Sequence, residues 1–114
     1  MDAREAARAL GEEIQKSPEY REYSQLKEEI NADAGIKALV NEYKRLQTAM
    51  QMRILSGQGM EGEEAQRFQQ LNMLLFADSR TSGYLMAEMR MQKMMADIFE
   101  TLTRAAGIEI PLPV

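Results

Sequence analysis

The stretch "DAGIKALVNEYKRLQTAMQMRIL", residues 33–55, decides the fold class. At about 100° per residue, Ile36, Leu39, Val40, Tyr43, Leu46, Met50 and Ile54 fall on one side of a helix, and Gln47 lies inside that stripe. Met52 and Ala38 fall opposite. Asp33 is placed to cap the first turn. The segment contains no proline. At 1.5 Å per residue the helix is about 35 Å long.

Working outward, the same period recurs on both sides. Residues 2–16 set Ala3, Ala7, Leu10 and Ile14 at spacings of three and four, a narrow stripe of small side chains. "KSPEY" interrupts it: Ser17 suits an N-cap, and Pro18 suits a first turn, where a missing N–H costs nothing. Glu19 then sits near the positive end of the helix dipole. A second helix over about 18–31 carries Tyr20, Tyr23, Leu26 or Lys27, and Ile30. After the long helix, "SGQGMEG" at 56–62 is the strongest break. A further helix over 62–77 carries Ala65, Phe68, Leu71, Leu74 and Leu75. "ADSRTSG" is a softer junction, a short loop or a kink. The last helix spans 81–106, with Gly107 as its C-terminal cap. The tail 107–114 alternates apolar residues and includes Pro111 and Pro113, so an extended segment is expected, either folded back or reaching a second subunit.

The reading is therefore an all-α chain of 114 residues, one helical domain with two long helices and shorter ones packed along them. Two such helices bury little alone. Long antiparallel helices forming a bundle, completed by dimerisation, are expected.

Composition excludes much chemistry. The absence of Cys and His removes disulfides, iron–sulfur clusters, the usual zinc sites, thiol nucleophiles and imidazole bases. "GQGMEG" matches G-x-G-x-x-G, but a helix precedes it and Glu61, Glu63 and Glu64 would repel a phosphate, so it reads as a helix connection. No cofactor and no enzymatic activity are expected. Fourteen basic residues are interleaved with eighteen acidic ones for a net charge of −4, the pattern of solvated helix faces rather than a phosphate-binding surface. Arg45, Arg53, Arg90 and Lys93 are the cations an RNA-associated protein would use. With no signal-like start and no apolar run of about 20 residues, a cytoplasmic location without membrane insertion is expected.

Ten methionines remain to be explained, five of them inside "YLMAEMRMQKMMADIF", residues 84–99. Met91, Met94 and Met95 join Tyr84, Ala87, Ile98, Phe99, Leu102 and Ala105 on one broad face, which reads as core. Glu88 falls within that face and should find a hydrogen-bonding partner. Leu85, Met86 and Met89 project sideways or behind. Methionine suits contact surfaces that must repack. Tyr43, Gln47, Met50, Leu85, Met86, Met89 and Met91 are the candidate interface residues. A purely structural homo-oligomer that uses up this surface is the alternative.

The run "LGEEIQKSPEYREYSQLKEEINAD" (10–33), the segment "EYKRLQTAMQ" (42–51), the glycine-containing break and "YLMAEMRMQKMMADI" (84–98) together resemble the YlbF/YmcA family of small helical bacterial proteins. The resemblance runs from Ala6 to Ile110. It implies long antiparallel helices that associate, and a non-enzymatic regulatory role. Its best-known members act together on messenger-RNA processing by endoribonuclease Y, and so on competence, sporulation and biofilm formation. Family-related regulators or a ribonuclease are the implied partners. Some of those members hold iron–sulfur clusters on Cys residues; this chain has no Cys, so that property does not carry over.

Overall fold

A computed structural model describes residues 1–59 and 61–109. The expected extended course of the tail therefore lies, beyond Glu109, outside the described residues. The chain is all-α: α1 (Ala3–Lys16), α2 (Pro18–Asn31), α3 (Ala34–Leu55), α4 (Gly62–Ala77) and α5 (Ser79–Ala106).

Most of these boundaries have a local cause. Asp2 accepts a hydrogen bond from the Glu5 amide at 2.9 Å and so caps α1. Ser17 serves two helices at once. Its hydroxyl donates to the Ile14 carbonyl at 2.6 Å, closing α1, and accepts from the Tyr20 amide at 3.2 Å, opening α2. Asp33 caps α3 by accepting from the Ile36 amide at 3.2 Å. At the end of α5, Gly107 adopts φ 68°, the left-handed conformation that lets Ile108 N–H reach the Thr103 carbonyl at 3.2 Å. The junction before α5 is tighter than a loop. Asp78 alone breaks the helix, with extended backbone (φ −96°, ψ 125°). Its carboxylate accepts from the Arg80 amide at 2.8 Å, which starts α5 at Ser79 rather than at 81.

The chain's contacts gather into two units: Ser24–Leu85, and Met1–Tyr23 together with residues from Met86 onward. The central unit holds almost the whole core. Ile30, Val40, Tyr43, Leu46, Leu71, Leu75, Thr81, Tyr84 and Leu85 are all buried there. Within it α3 packs closely on α4. The pairs Glu42–Arg67, Tyr43–Asn72 and Arg53–Glu64 show that the two run antiparallel. Thr81 is buried, and its hydroxyl donates to the Leu75 carbonyl across the Asp78 break, tying the start of α5 to the end of α4.

Three expectations about faces are corrected here. Ile54 shares the stripe of α3 but is 62 % exposed, because α4 begins only at Gly62 and little of it lies opposite the last turn of α3. Leu74 is 55 % exposed. The covered arc of α4 runs through Phe68, Leu71 and Leu75, and Leu74 stands about 100° from Leu75 on the far side. Leu85 was expected off the core face, yet it is only 6 % exposed. The first turns of α5 bury a wider arc, including Thr81 and Tyr84, than the rest of that helix does.

The second unit is different in kind. Helix α1 buries no residue. Among the described residues of this unit only Ala87 is buried. Met91, Met94, Met95, Ile98 and Phe99, expected as core, are half-covered, and Leu102 and Ala105, expected on the same face, are exposed. An open groove of about 280 Å³ lies between the two helices, lined by Leu10 of α1 and by Met94, Asp97, Ile98, Thr101 and Leu102 of α5.

Candidate functional site: the faces of α5 and α3

The candidate interface residues do not share one environment. Tyr43 is buried in the central unit. Its ring stacks on Phe68 at 5.1 Å between centroids and 12° between planes, and its hydroxyl donates to Asn72 Oδ1 at 3.3 Å. Burial pushes the Tyr43 phenol above its ordinary pKa. Leu85 is buried as well. Both side chains are committed to packing within a single chain. Gln47 and Met50 on α3, and Met91 on α5, are half-covered. Met86 and Met89 alone among the seven are open, at 47 % and 60 % exposure. They sit three residues apart on α5, hence on one strip of its surface.

Charges beside these faces are matched. Arg90 pairs with Glu22, and Lys93 with Asp97 at 3.6 Å. In the central unit Arg67 grips Glu42 in a fork, Nε at 3.1 Å and Nη2 at 2.7 Å from carboxylate oxygens, and Arg53 lies 3.3 Å from Glu64. Arg45 shares a shallow groove with Glu42, Glu63, Glu64 and Arg67. Lys44 rests 4.7 Å from the centre of the buried Tyr84 ring and donates to its hydroxyl at 2.5 Å. Glu88 is half-buried and has a partner. Sequence reasoning did not anticipate the Glu42–Arg67 fork or the Lys44–Tyr84 contact. Both span helices, and no spacing within one helix signals them.

The fork sets a pH dependence. The Arg67 hydrogen bonds hold the Glu42 carboxyl below its ordinary value, and the charges of Arg67 and Arg45 add to this against partial desolvation. Arg80 does the same for Asp78, again chiefly through its hydrogen bond. A carboxyl whose folded pKa is lowered stabilises the fold above its unfolded value and loses that contribution as pH falls through the folded one. Thermal unfolding followed from about pH 7 down to about pH 3 should therefore show a midpoint that drops in the acid range. In Glu42→Gln that drop should be shallower; an identical profile for the two proteins would show that the fork contributes nothing.

The described residues contain no group of three or more His, Cys, Asp or Glu side chains placed to hold a metal ion. None of their helices is long and apolar enough to cross a membrane. What distinguishes the molecule is apolar helix surface left open by one chain.

The family described as "Control of competence regulator ComK, YlbF/YmcA" matches residues 4–105. The chain belongs to the YlbF/YmcA family. That family is regulatory by its description. Among its relatives, a UPF0342 protein of Halothermothrix orenii is 32 % identical over 91 % of this chain and 86 % of its own length. One from Symbiobacterium thermophilum is 23 % identical over 92 % and 94 %. One from Streptococcus pyogenes serotype M4 is 30 % identical over 81 % of each chain. No solved structure matches. The match spans all five helices, so α5 and its two faces lie inside the family's common region.

Proposed function

We propose that this chain is a non-enzymatic regulatory protein that works as a homo-oligomer, at least a dimer, and contacts a protein partner through Met86 and Met89. One observation carries the reading: the unit built from α1 and α5 buries only Ala87 among its described residues, although α5 carries a broad apolar face. A helix pair with so little buried cannot offset the entropy of ordering it. A second copy, laying its own α5 along the Met94–Ile98–Leu102 face, where Met94 and Ile98 are half-covered and Leu102 is exposed, supplies the missing apolar cover and completes a helical bundle. The strip with Met86 and Met89 remains open on another side of the helix, and an adaptable methionine surface there suits a protein partner.

The family's description, together with the resemblance, favours control of competence through RNA processing, with sporulation and biofilm formation as related outputs. By that reading the partner is a sister regulator or a ribonuclease in the cytoplasm. Direct RNA binding fits less well, because Arg53, Arg90 and Lys93 each face a carboxylate, and a paired cation releases fewer counterions from a phosphate backbone.

Capture of the tagged protein from its native cell, with and without nuclease, tests the partner reading. Met86→Glu with Met89→Glu should abolish retention of the partner while helix content and melting stay unchanged, since neither side chain contributes to the core. Equal retention by both proteins would contradict it.

A further inference from the structure

We propose that the break at Asp78 is a hinge, and that α4 and α5 join into one helix from Gly62 to Ala106 when a second copy covers the apolar stripe along it. The inference rests on the second-copy reading above and extends it from α5 to α4.

Nothing local forces the break. Neither Pro nor a left-handed residue stands there, and Asp78 has ordinary extended backbone. Tertiary contacts hold the bend instead. The Asp78 carboxylate accepts from the Arg80 amide at 2.8 Å. The Arg80 guanidinium lies 3.2 Å from Asp78 and 3.7 Å from Asp33. The Thr81 hydroxyl donates to the Leu75 carbonyl. The ionic contacts are partly solvated, so each contributes little. Joining the helices closes the amides and carbonyls left open at their facing ends.

The apolar pattern runs in phase through the break. Counted across Asp78 at about 100° per residue, Met73 and Phe76 fall within about 50° of the line carrying Tyr84, Ala87, Met91 and Ile98. In the bent chain the halves of this stripe part. Tyr84 and Ala87 are buried, whereas Met73 is 74 % and Phe76 43 % exposed. No residue from Phe68 to Ala77 is charged, a depletion typical of the centre of an interface. Leu71 and Leu75 lie on the opposite side of α4, so α3 keeps its seat when the helices join.

Arg80 is the one charged residue within the stripe, and it stands at the centre. The bend gives its guanidinium two carboxylates; the joined helix gives it only the rings of Phe76 and Tyr84, four residues to either side. Arg80 therefore latches a free chain in the bent form. A second copy carries the same stripe, and two joined helices laid antiparallel about a two-fold axis cover each other. The strip is continuous with the α5 face already given to that copy.

The absence of Cys lets labels be placed at will. Full-length protein with Glu63→Cys and Gln92→Cys, both exposed and off the stripe, takes two spin labels 29 residues apart. In a joined helix they stand about 44 Å apart, and any bend brings them closer. Labelled chains diluted with unlabelled ones are measured by pulsed electron resonance, with the mass followed in parallel. The long distance should appear in the wild type as the mass doubles from 13.0 kDa. Arg80→Leu should show it at about tenfold lower protein concentration. Ser79→Pro, which keeps residue 78 extended and suits a first turn, should not show it. A doubled mass without the long distance in the wild type, or the same long distance in Ser79→Pro, overturns the hinge and leaves the second-copy reading standing. An unchanged concentration in Arg80→Leu overturns the latch. A wild type that stays at 13.0 kDa throughout sinks the second-copy reading itself, and the hinge with it.

Discussion

Leu71→Ala is expected to lower the free energy of unfolding by about 2–5 kcal/mol, one of the two largest effects of a single truncation among the described residues. Leu71 has no exposed surface, and it lies in the covered arc of α4 between Phe68 and Leu75. Removing its branched end deletes buried apolar surface and leaves a cavity that neighbours fixed by helix geometry cannot fill. Urea unfolding followed by circular dichroism measures the loss. The midpoint should fall while its denaturant slope stays the same, because the surface exposed on unfolding barely changes. Leu74→Ala, three residues away and more than half exposed, is the control and should shift the midpoint little. Equal effects at the two positions would mean that the buried arc of α4 is wrongly placed.

The second large effect is expected at Tyr43. Tyr43→Ala should cost about 3–5 kcal/mol, because it removes a buried ring stacked on Phe68. Tyr43→Phe keeps the ring and loses only a long hydrogen bond to Asn72, so about 1 kcal/mol is the expected cost. The same urea titration reads both. This pair separates packing from partner contact. If Tyr43 served a partner chiefly, Tyr43→Ala would weaken association and leave the melting of the separate chain nearly unchanged. The burial of Tyr43 predicts the reverse.

Much of the architecture was legible because helix ends are local chemistry. Ser17, Asp33 and Gly107 each act on amides or carbonyls within a few residues, so their roles follow from the residues beside them. Faces are another matter. Periodicity placed Ile54, Leu74 and Leu85 on or off a stripe, but which part of a stripe is covered depends on where the neighbouring helix starts and how it lies. Ile54 fails as core because α4 starts too late to cover it, and Leu85 succeeds because α5 is buried over a wider arc near the Asp78 break. That break was legible in place, as the junction "ADSRTSG" after a helix ending at 77, but not in form: one extended residue, Asp78, separates the helices and α5 starts at Ser79 rather than 81.

The candidate site divides along the same line. The exposure of Met86 and Met89 followed from their position on the helical wheel of α5, since both stand well over a quarter-turn from the centre of its apolar face. The burial of Tyr43 also followed from its place on the stripe of α3, which rules it out as an open interface residue, whereas the burial of Leu85, off the apolar face of α5, did not. The methionine cluster thus has two parts. Met91, Met94 and Met95 line a face half-closed within one chain, while Met86 and Met89 remain in the open.

Completion of the half-closed face by a second copy is the central claim, and sedimentation equilibrium of the purified full-length chain tests it most directly. The wild type should sediment at twice the 13.0 kDa of one chain. Ile98→Glu, which puts a charge into the Leu10–Met94–Leu102 groove, should return it to 13.0 kDa with loss of thermal stability. A wild type that sediments at 13.0 kDa at every concentration, and melts no differently from Ile98→Glu, would contradict the account.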